Sequence, residues 1–96
     1  MEAHTLRRRI ITLLHDQEMD ARDLSQELGL KEKDVYPHLV HVERTVKAAG
    51  GQFIMTPSRC QLCGYVFEDR RRLTRPGRCP RCRRSKILNP SFRIIS

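Results

Sequence analysis

Apolar residues recur at helical spacing in the first part of the chain. Between residues 5 and 15 they fall at intervals of three and four, which places them on one stripe of a helix. The residues on this stripe are Leu6, Ile10, Leu13 and Leu14. Thr5 precedes the stripe and its hydroxyl can accept a hydrogen bond from a free N–H of the first turn, so we expect it as the N-cap.

A second, shorter helix is predicted between Asp20 and Gly29. Asp20 can act as its N-cap, and Asp23 adds negative charge where the helix dipole favours it. The apolar side is formed by Ala21, Leu24 and Leu28. Gly29 then stands where a left-handed residue ends a helix.

A third helix is indicated by apolar residues spaced by four, three and four. These are Val35, Leu39, Val42 and Val46. Pro37 lacks an N–H, which is harmless only within the first turn. We therefore expect Asp34 as the N-cap, with Pro37 at the third helical position and the helix ending near Lys47.

Two strands are predicted, at residues 53–55 and 92–95, and the segment between them is rich in Cys, Arg and Pro. The expected fold class is therefore α+β. It divides into a helical domain at residues 1–56 and a cysteine-bearing domain at residues 57–96.

The four cysteines form two Cys-x-x-Cys pairs separated by 15 residues, 64 through 78. Two such turns can direct four sulfurs at one ion, and Gly64 suits a turn that needs positive φ. Four thiolates close the metal's coordination shell, which favours a single structural Zn²⁺ over a catalytic ion, although these ligands would also accept Fe. The predicted ligands are Cys60, Cys63, Cys79 and Cys82.

Charge is distributed unevenly along the chain. Residues 1–56 carry eight Lys or Arg against nine Asp or Glu, whereas residues 57–96 carry eleven against two. An excess of positive charge confined to one part indicates a polyanionic partner, most simply nucleic acid. No membrane span or secretory signal is expected, and the chain is predicted to be cytoplasmic.

The run Ala-Arg-Asp-Leu-Ser-Gln-Glu-Leu-Gly-Leu at residues 21–30, followed by Val35 and Leu39, resembles winged-helix transcription regulators of bacteria and archaea. With Cys-x-x-Cys-Gly and Cys-Pro-x-Cys added, nearly the whole chain resembles a family of predicted regulators that fuse a winged helix-turn-helix domain to a rubredoxin-like zinc ribbon. The resemblance implies three helices and a short hairpin, the wing. The zinc ribbon would be inserted in the wing or appended to it, with residues 92–95 returning as a wing strand.

The resemblance also implies that the third helix contacts double-stranded DNA. A helical wheel places cations and one tyrosine opposite its apolar stripe, and an arginine cluster lies near the cysteines. The predicted nucleic-acid-binding residues are Lys33, Tyr36, Arg44, Lys47, Arg70, Arg71, Arg72, Arg75, Arg83 and Arg84.

The function expected from these observations is that of a DNA-binding transcriptional regulator. Two alternatives remain: a zinc-ribbon module that binds protein components of the transcription or translation machinery, and a rubredoxin-like electron carrier. We do not expect an enzyme, because no nucleophile–base pair or open metal site can be assembled. The sequence leaves a homodimer open.

Overall fold

Three helices and a three-stranded antiparallel sheet form the framework of the chain. The structure is a computed structural model that describes residues 3–95. Its elements are α1 (Ala3–Asp16), β1 (Met19–Asp20), α2 (Ala21–Leu28), α3 (Glu32–Ala48), β2 (Gln52–Thr56) and β3 (Ser91–Ile95). We refer to residues 57–90, which connect β2 to β3, as the cysteine insert.

Helix α1 buries the predicted apolar stripe, with Leu6, Ile10 and Leu14 inside the core. The helix already includes Ala3, so Thr5 lies within its first turn and is exposed. The prediction of Thr5 as N-cap was therefore wrong. An N-cap must precede the helical residues, and here the helical conformation extends further toward the N-terminus.

Helix α2 has the caps that the sequence predicted. The Asp20 carboxylate accepts from the N–H of Asp23 at 2.8 Å, and the Asp23 carboxylate accepts from the N–H of Asp20 at 3.1 Å. This reciprocal pair is a capping box. Gly29 ends the helix at φ 68° and ψ 32°, and its N–H and that of Leu30 both donate to the carbonyl of Ser25.

Helix α3 begins two residues before the predicted cap. Lys31 is the N-cap and makes no side-chain capping bond, so the prediction of Asp34 was wrong. Pro37 consequently lies in the helix interior, where its ring nitrogen cannot donate to the carbonyl of Lys33. The apolar stripe explains why the helix tolerates it: Val35, Leu39, Val42 and Val46 are all buried.

The sheet has β3 at its centre, with β1 on one side and β2 on the other. Phe92 lies opposite both Met19 of β1 and Met55 of β2, is fully buried, and its ring centroid is 5.6 Å from that of Phe53. The predicted strand segments thus pair with each other, although each is slightly longer than expected. The two-residue strand β1 was not predicted.

Candidate metal centre and basic surface

The first cysteine turn is fixed by two backbone hydrogen bonds. The N–H of Cys60 donates to the carbonyl of Tyr65 at 2.8 Å, and the N–H of Gly64 donates to the carbonyl of Cys60 at 3.0 Å. Gly64 has φ 80°, in the left-handed region that glycine occupies without a steric penalty. The turn predicted for this glycine is present.

The second cysteine turn repeats this hydrogen-bond pattern. The N–H of Cys79 donates to the carbonyl of Arg84 at 2.9 Å, and the N–H of Arg83 donates to the carbonyl of Cys79 at 2.8 Å. Arg83 occupies the position equivalent to Gly64 and has φ 63°, the only positive φ of a non-glycine residue within the described chain. The backbone of Arg83 therefore helps to form the second cysteine turn, in addition to the contact with DNA that is predicted for its side chain.

The four sulfurs converge on one point. All lie within 4.8 Å of one another, and the Cys60–Cys82 and Cys63–Cys79 Sγ–Sγ distances are both 3.6 Å. A tetrahedron with Zn–S bonds of about 2.3 Å has sulfurs roughly 3.8 Å apart, whereas a disulfide holds them at about 2.05 Å. The cluster is compatible with a metal ion such as zinc, and its cysteines are not cross-linked.

The two cysteine turns also shift the pKa values of the thiols, and these values determine how readily the sulfurs ionise to bind a cation. The N–H of Cys63 has the largest influence on the Cys60 thiol, and with the N–H of Leu62 it outweighs burial and lowers the Cys60 pKa to about 6. The N–H of Tyr65 lowers the pKa of Cys63. Burial and the adjacent sulfurs together outweigh this effect, and the pKa rises to about 11. Crowded thiols cannot all ionise alone, so a cation at their centre would stabilise the fully deprotonated set.

The cysteine insert is held against the helices at two places. Leu73 belongs to the hydrophobic core and is only 8% exposed. Near the other end of the insert, the Asn89 amide donates to Glu32 Oε1 at 3.3 Å and to Asp20 Oδ2 at 3.5 Å. The insert is thus docked on α3 and on the start of α2.

Comparison with known proteins places the helical part of the chain in a family. The family model described as PF0610-like, N-terminal, matches residues 5–54, which is more than half of the chain. The chain belongs to the PF0610-like family.

A solved PF0610-like structure covers the cysteine insert as well. The solution NMR structure of protein PF0610 from Pyrococcus furiosus matches with a TM-score of 0.84 and 26% sequence identity, over 100% of this chain and 93% of that chain. No curated protein sequence gives a significant match. Within residues 3–95, no helix is both long enough and apolar enough to cross a membrane.

The predicted DNA-contacting residues of α3 in this PF0610-like chain differ in solvent exposure and in their contacts within the chain. Lys33 and Arg44 are exposed. Lys47 is also exposed but its ammonium lies 3.2 Å from a Glu43 carboxylate oxygen. Tyr36 is partly buried and packs against the core. Their contact with DNA stays a prediction.

The predicted arginines of the insert fall into two groups. Arg70 is partly buried and its guanidinium donates to the carbonyl and the hydroxyl of Thr74, at 3.0 to 3.3 Å. The other predicted arginines are exposed, namely Arg71, Arg72, Arg75, Arg83 and Arg84. Among these predicted insert arginines, only Arg70 makes a side-chain hydrogen bond within residues 3–95.

Sequence reasoning missed the two residues that dock the insert. Leu73 is an isolated apolar residue among arginines, and that isolation was an available signal that it anchors the basic segment. Asn89 carried no signal, because its partners Asp20 and Glu32 are 69 and 57 residues away. The carboxylate of Glu32 on α3 thus has a partner within the chain.

Proposed function

We propose that this chain is a DNA-binding transcriptional regulator with a winged helix-turn-helix fold. The observation that carries the proposal is that the insert, which supplies the net positive charge of the chain, is held next to α3 by Leu73 in the core and by the hydrogen bond from Asn89 to Glu32. A duplex that approaches α3 therefore meets the basic insert on the same side of the molecule.

The order of the elements supports the winged-helix assignment. Helices α2 and α3 are joined by a short turn, α3 leads into the β2–β3 pair, and β1 between α1 and α2 completes the sheet. In a winged helix the loop between the last two strands is the wing, and this is the position of the cysteine insert. The third helix would dock on DNA while the insert contacts the phosphate backbone.

We assign one structural Zn²⁺ to the cysteine cluster. The 3.6 Å sulfur separations suit a tetrahedral tetrathiolate ion, and two of the four cysteines, Cys60 and Cys79, are buried. Metal analysis of purified protein tests this assignment. Stoichiometric zinc is expected, whereas red, iron-containing protein would favour the electron-carrier alternative.

The test of DNA binding is a titration of a short duplex with metal-loaded protein at several salt concentrations. Binding should weaken steeply with salt, with a slope of about −0.9 per phosphate neutralised. Arg44→Ala on the outer side of α3 should weaken binding, while Arg8→Ala, an exposed cation on α1, is the matched control and should not. Absence of binding at low salt, or an affinity independent of salt, would refute the proposal.

A further inference from the structure

Residues 70–75 of the insert, the strap, lie beside α3, and four of them line a cleft together with residues of that helix. Leu73 is in the hydrophobic core, whereas its neighbours Arg71, Arg72 and Thr74 are exposed. The leucine therefore anchors a segment that is otherwise polar. Its burial fixes the position of the flanking arginines relative to α3.

A second set of contacts closes the strap on itself. The Arg70 guanidinium donates through Nε and Nη2 to the carbonyl of Thr74, at 3.3 and 3.1 Å, and through Nη2 to the Thr74 hydroxyl at 3.0 Å. Arg71 and Arg72 lie within this closed loop. Their backbone is thus held at both ends, which reduces the entropy that would be lost when their side chains bind a ligand.

Between the strap and α3 is a cleft of about 420 Å³, the strap cleft. Its lining residues are Tyr36, Val40 and Glu43 of α3 and Arg71, Arg72, Leu73 and Thr74 of the strap. Glu43 has Lys47 as a partner at 3.2 Å, whereas neither arginine forms an ion pair within residues 3–95. The cleft therefore has an apolar floor and two unneutralised guanidinium groups at its edge.

Tyr36 contributes a hydrogen-bond donor to the same cleft. Burial is the main reason that its pKa is raised, and Glu32 raises it further while Arg75 opposes. The phenol therefore keeps its proton at neutral pH. A protonated phenol that lines the same cleft as two arginines can donate a hydrogen bond to an anionic oxygen ligand.

We propose that the strap cleft binds the sugar–phosphate backbone of duplex DNA, with Arg71 and Arg72 on phosphates and with no dependence on base sequence. This inference rests on the proposed function. Guanidinium groups bind phosphate oxygens in a bidentate manner, and the apolar floor formed by Val40 and Leu73 suits the carbon edge of deoxyribose. The cleft thus matches both parts of a nucleic-acid backbone.

The test compares two pairs of adjacent, exposed arginines that carry the same charge. Binding of metal-loaded protein to two duplexes of unrelated sequence is measured by fluorescence anisotropy against salt, for the wild type, Arg71→Ala/Arg72→Ala and Arg83→Ala/Arg84→Ala. The strap variant should bind both duplexes roughly tenfold more weakly or worse, with a salt slope shallower by about 2. The control variant, which removes equal charge at the second cysteine turn, should lose less.

Three results would overturn the assignment of the cleft while leaving DNA binding in place: equal losses in both variants, a loss confined to one of the two sequences, or tighter binding of single-stranded than of duplex DNA. Wild-type protein that fails to bind either duplex at low salt would instead refute the proposed function. Metal content and melting temperature of each variant establish that it is folded.

Discussion

At the scale of single residues, the two cysteine turns differ at the position with positive φ. Gly64 occupies it in the first turn and Arg83 in the second, with φ 80° and 63°. A side chain in this conformation places its Cβ close to a backbone carbonyl, which costs about 1 to 2 kcal/mol. The second turn is therefore strained relative to the first, although both have the same hydrogen bonds.

This difference predicts opposite effects of two reciprocal substitutions. Arg83→Gly should stabilise the metal-loaded protein by about 1 kcal/mol, because glycine relieves the strain. Gly64→Ala should destabilise it by a similar amount. No atom outside Gly64 and its two chain neighbours lies within 4 Å of a Cβ built there, so the effect would come from the local backbone conformation and not from a clash with another part of the chain. Denaturant unfolding measures the change in the free energy of unfolding for both variants. An Arg83→Gly variant less stable than the wild type would contradict the prediction.

His38 is a second residue with an unusual environment, which changes the pKa of its imidazole. Its Nδ1 is buried without a hydrogen-bond partner. Burial, followed by the charge of Arg7, lowers its pKa from the ordinary value of 6.5, and Asp34 opposes this only in part. The folded state therefore favours the neutral imidazole.

Because the folded pKa lies below the unfolded one, His38 should leave stability unaffected above about pH 6.5 and reduce it as the pH falls below that value. An NMR titration of the imidazole, read beside the free energy of unfolding at each pH, checks this. The control is His38→Gln, in which this part of the pH dependence should disappear. A midpoint at or above 6.5 would show that the imidazole is not desolvated.

At the scale of elements, α3 offers a test of where it begins. With Lys31 as the N-cap, Pro37 is interior and removes a hydrogen bond to Lys33. Pro37→Ala should then stabilise the protein by about 1 to 3 kcal/mol. Were Pro37 in the first turn, its replacement would be neutral or slightly destabilising. Thermal unfolding of the Pro37→Ala variant distinguishes the interior position from the first-turn position. Ala48→Gly, near the end of the same helix, serves as a control for helix propensity.

The elements show what the sequence could and could not predict. The caps of α2 were predictable because Asp20, Asp23 and Gly29 act on residues three or four positions away. The two cysteine turns were predictable for the same reason, since each Cys-x-x-Cys pair lies within one turn. Strand β1 was not, because two residues have no periodicity and their pairing depends on Phe92, far away in the sequence. The docking of the insert by Asn89 likewise depends on contacts of long sequence separation.

The start of α3 was misplaced because a local rule was applied without its tertiary context. The preference of Pro for the first turn is real, but burial of four apolar residues stabilises the helix by more than the interior Pro costs. The helix therefore extends to Glu32. There, the side chain of Glu32 accepts a hydrogen bond from Asn89 of the insert.

At the scale of the whole molecule, the apolar core and the cysteine cluster lie in different parts of the chain. The core of α1, α2, α3 and β3 is apolar and extensive, whereas the insert contributes only Leu73 to it. Small segments without a large core depend on a metal for folding.

Chelation should therefore unfold the insert and abolish duplex binding while the helices remain formed. Far-UV circular dichroism and NMR of the Ile10 and Leu39 methyl groups follow the helices. NMR of the Leu73 methyl groups follows the insert, and anisotropy of labelled DNA follows binding. Restored binding after zinc is returned is the control for irreversible damage. If chelated protein bound DNA as well as loaded protein did, the insert would have no part in binding.

The insert leaves and re-enters the sheet at a single pair of facing residues, Thr56 and Ser91. Since its two ends meet there, a change in the length of the intervening chain does not shift the register of β2 against β3. The entropy of closing a longer loop rises only slowly with its length. The fold is thus modular at this point: a segment of different size can be grafted there without shifting the strand register, provided that it restores the core contact of Leu73 and the hydrogen bonds of Asn89.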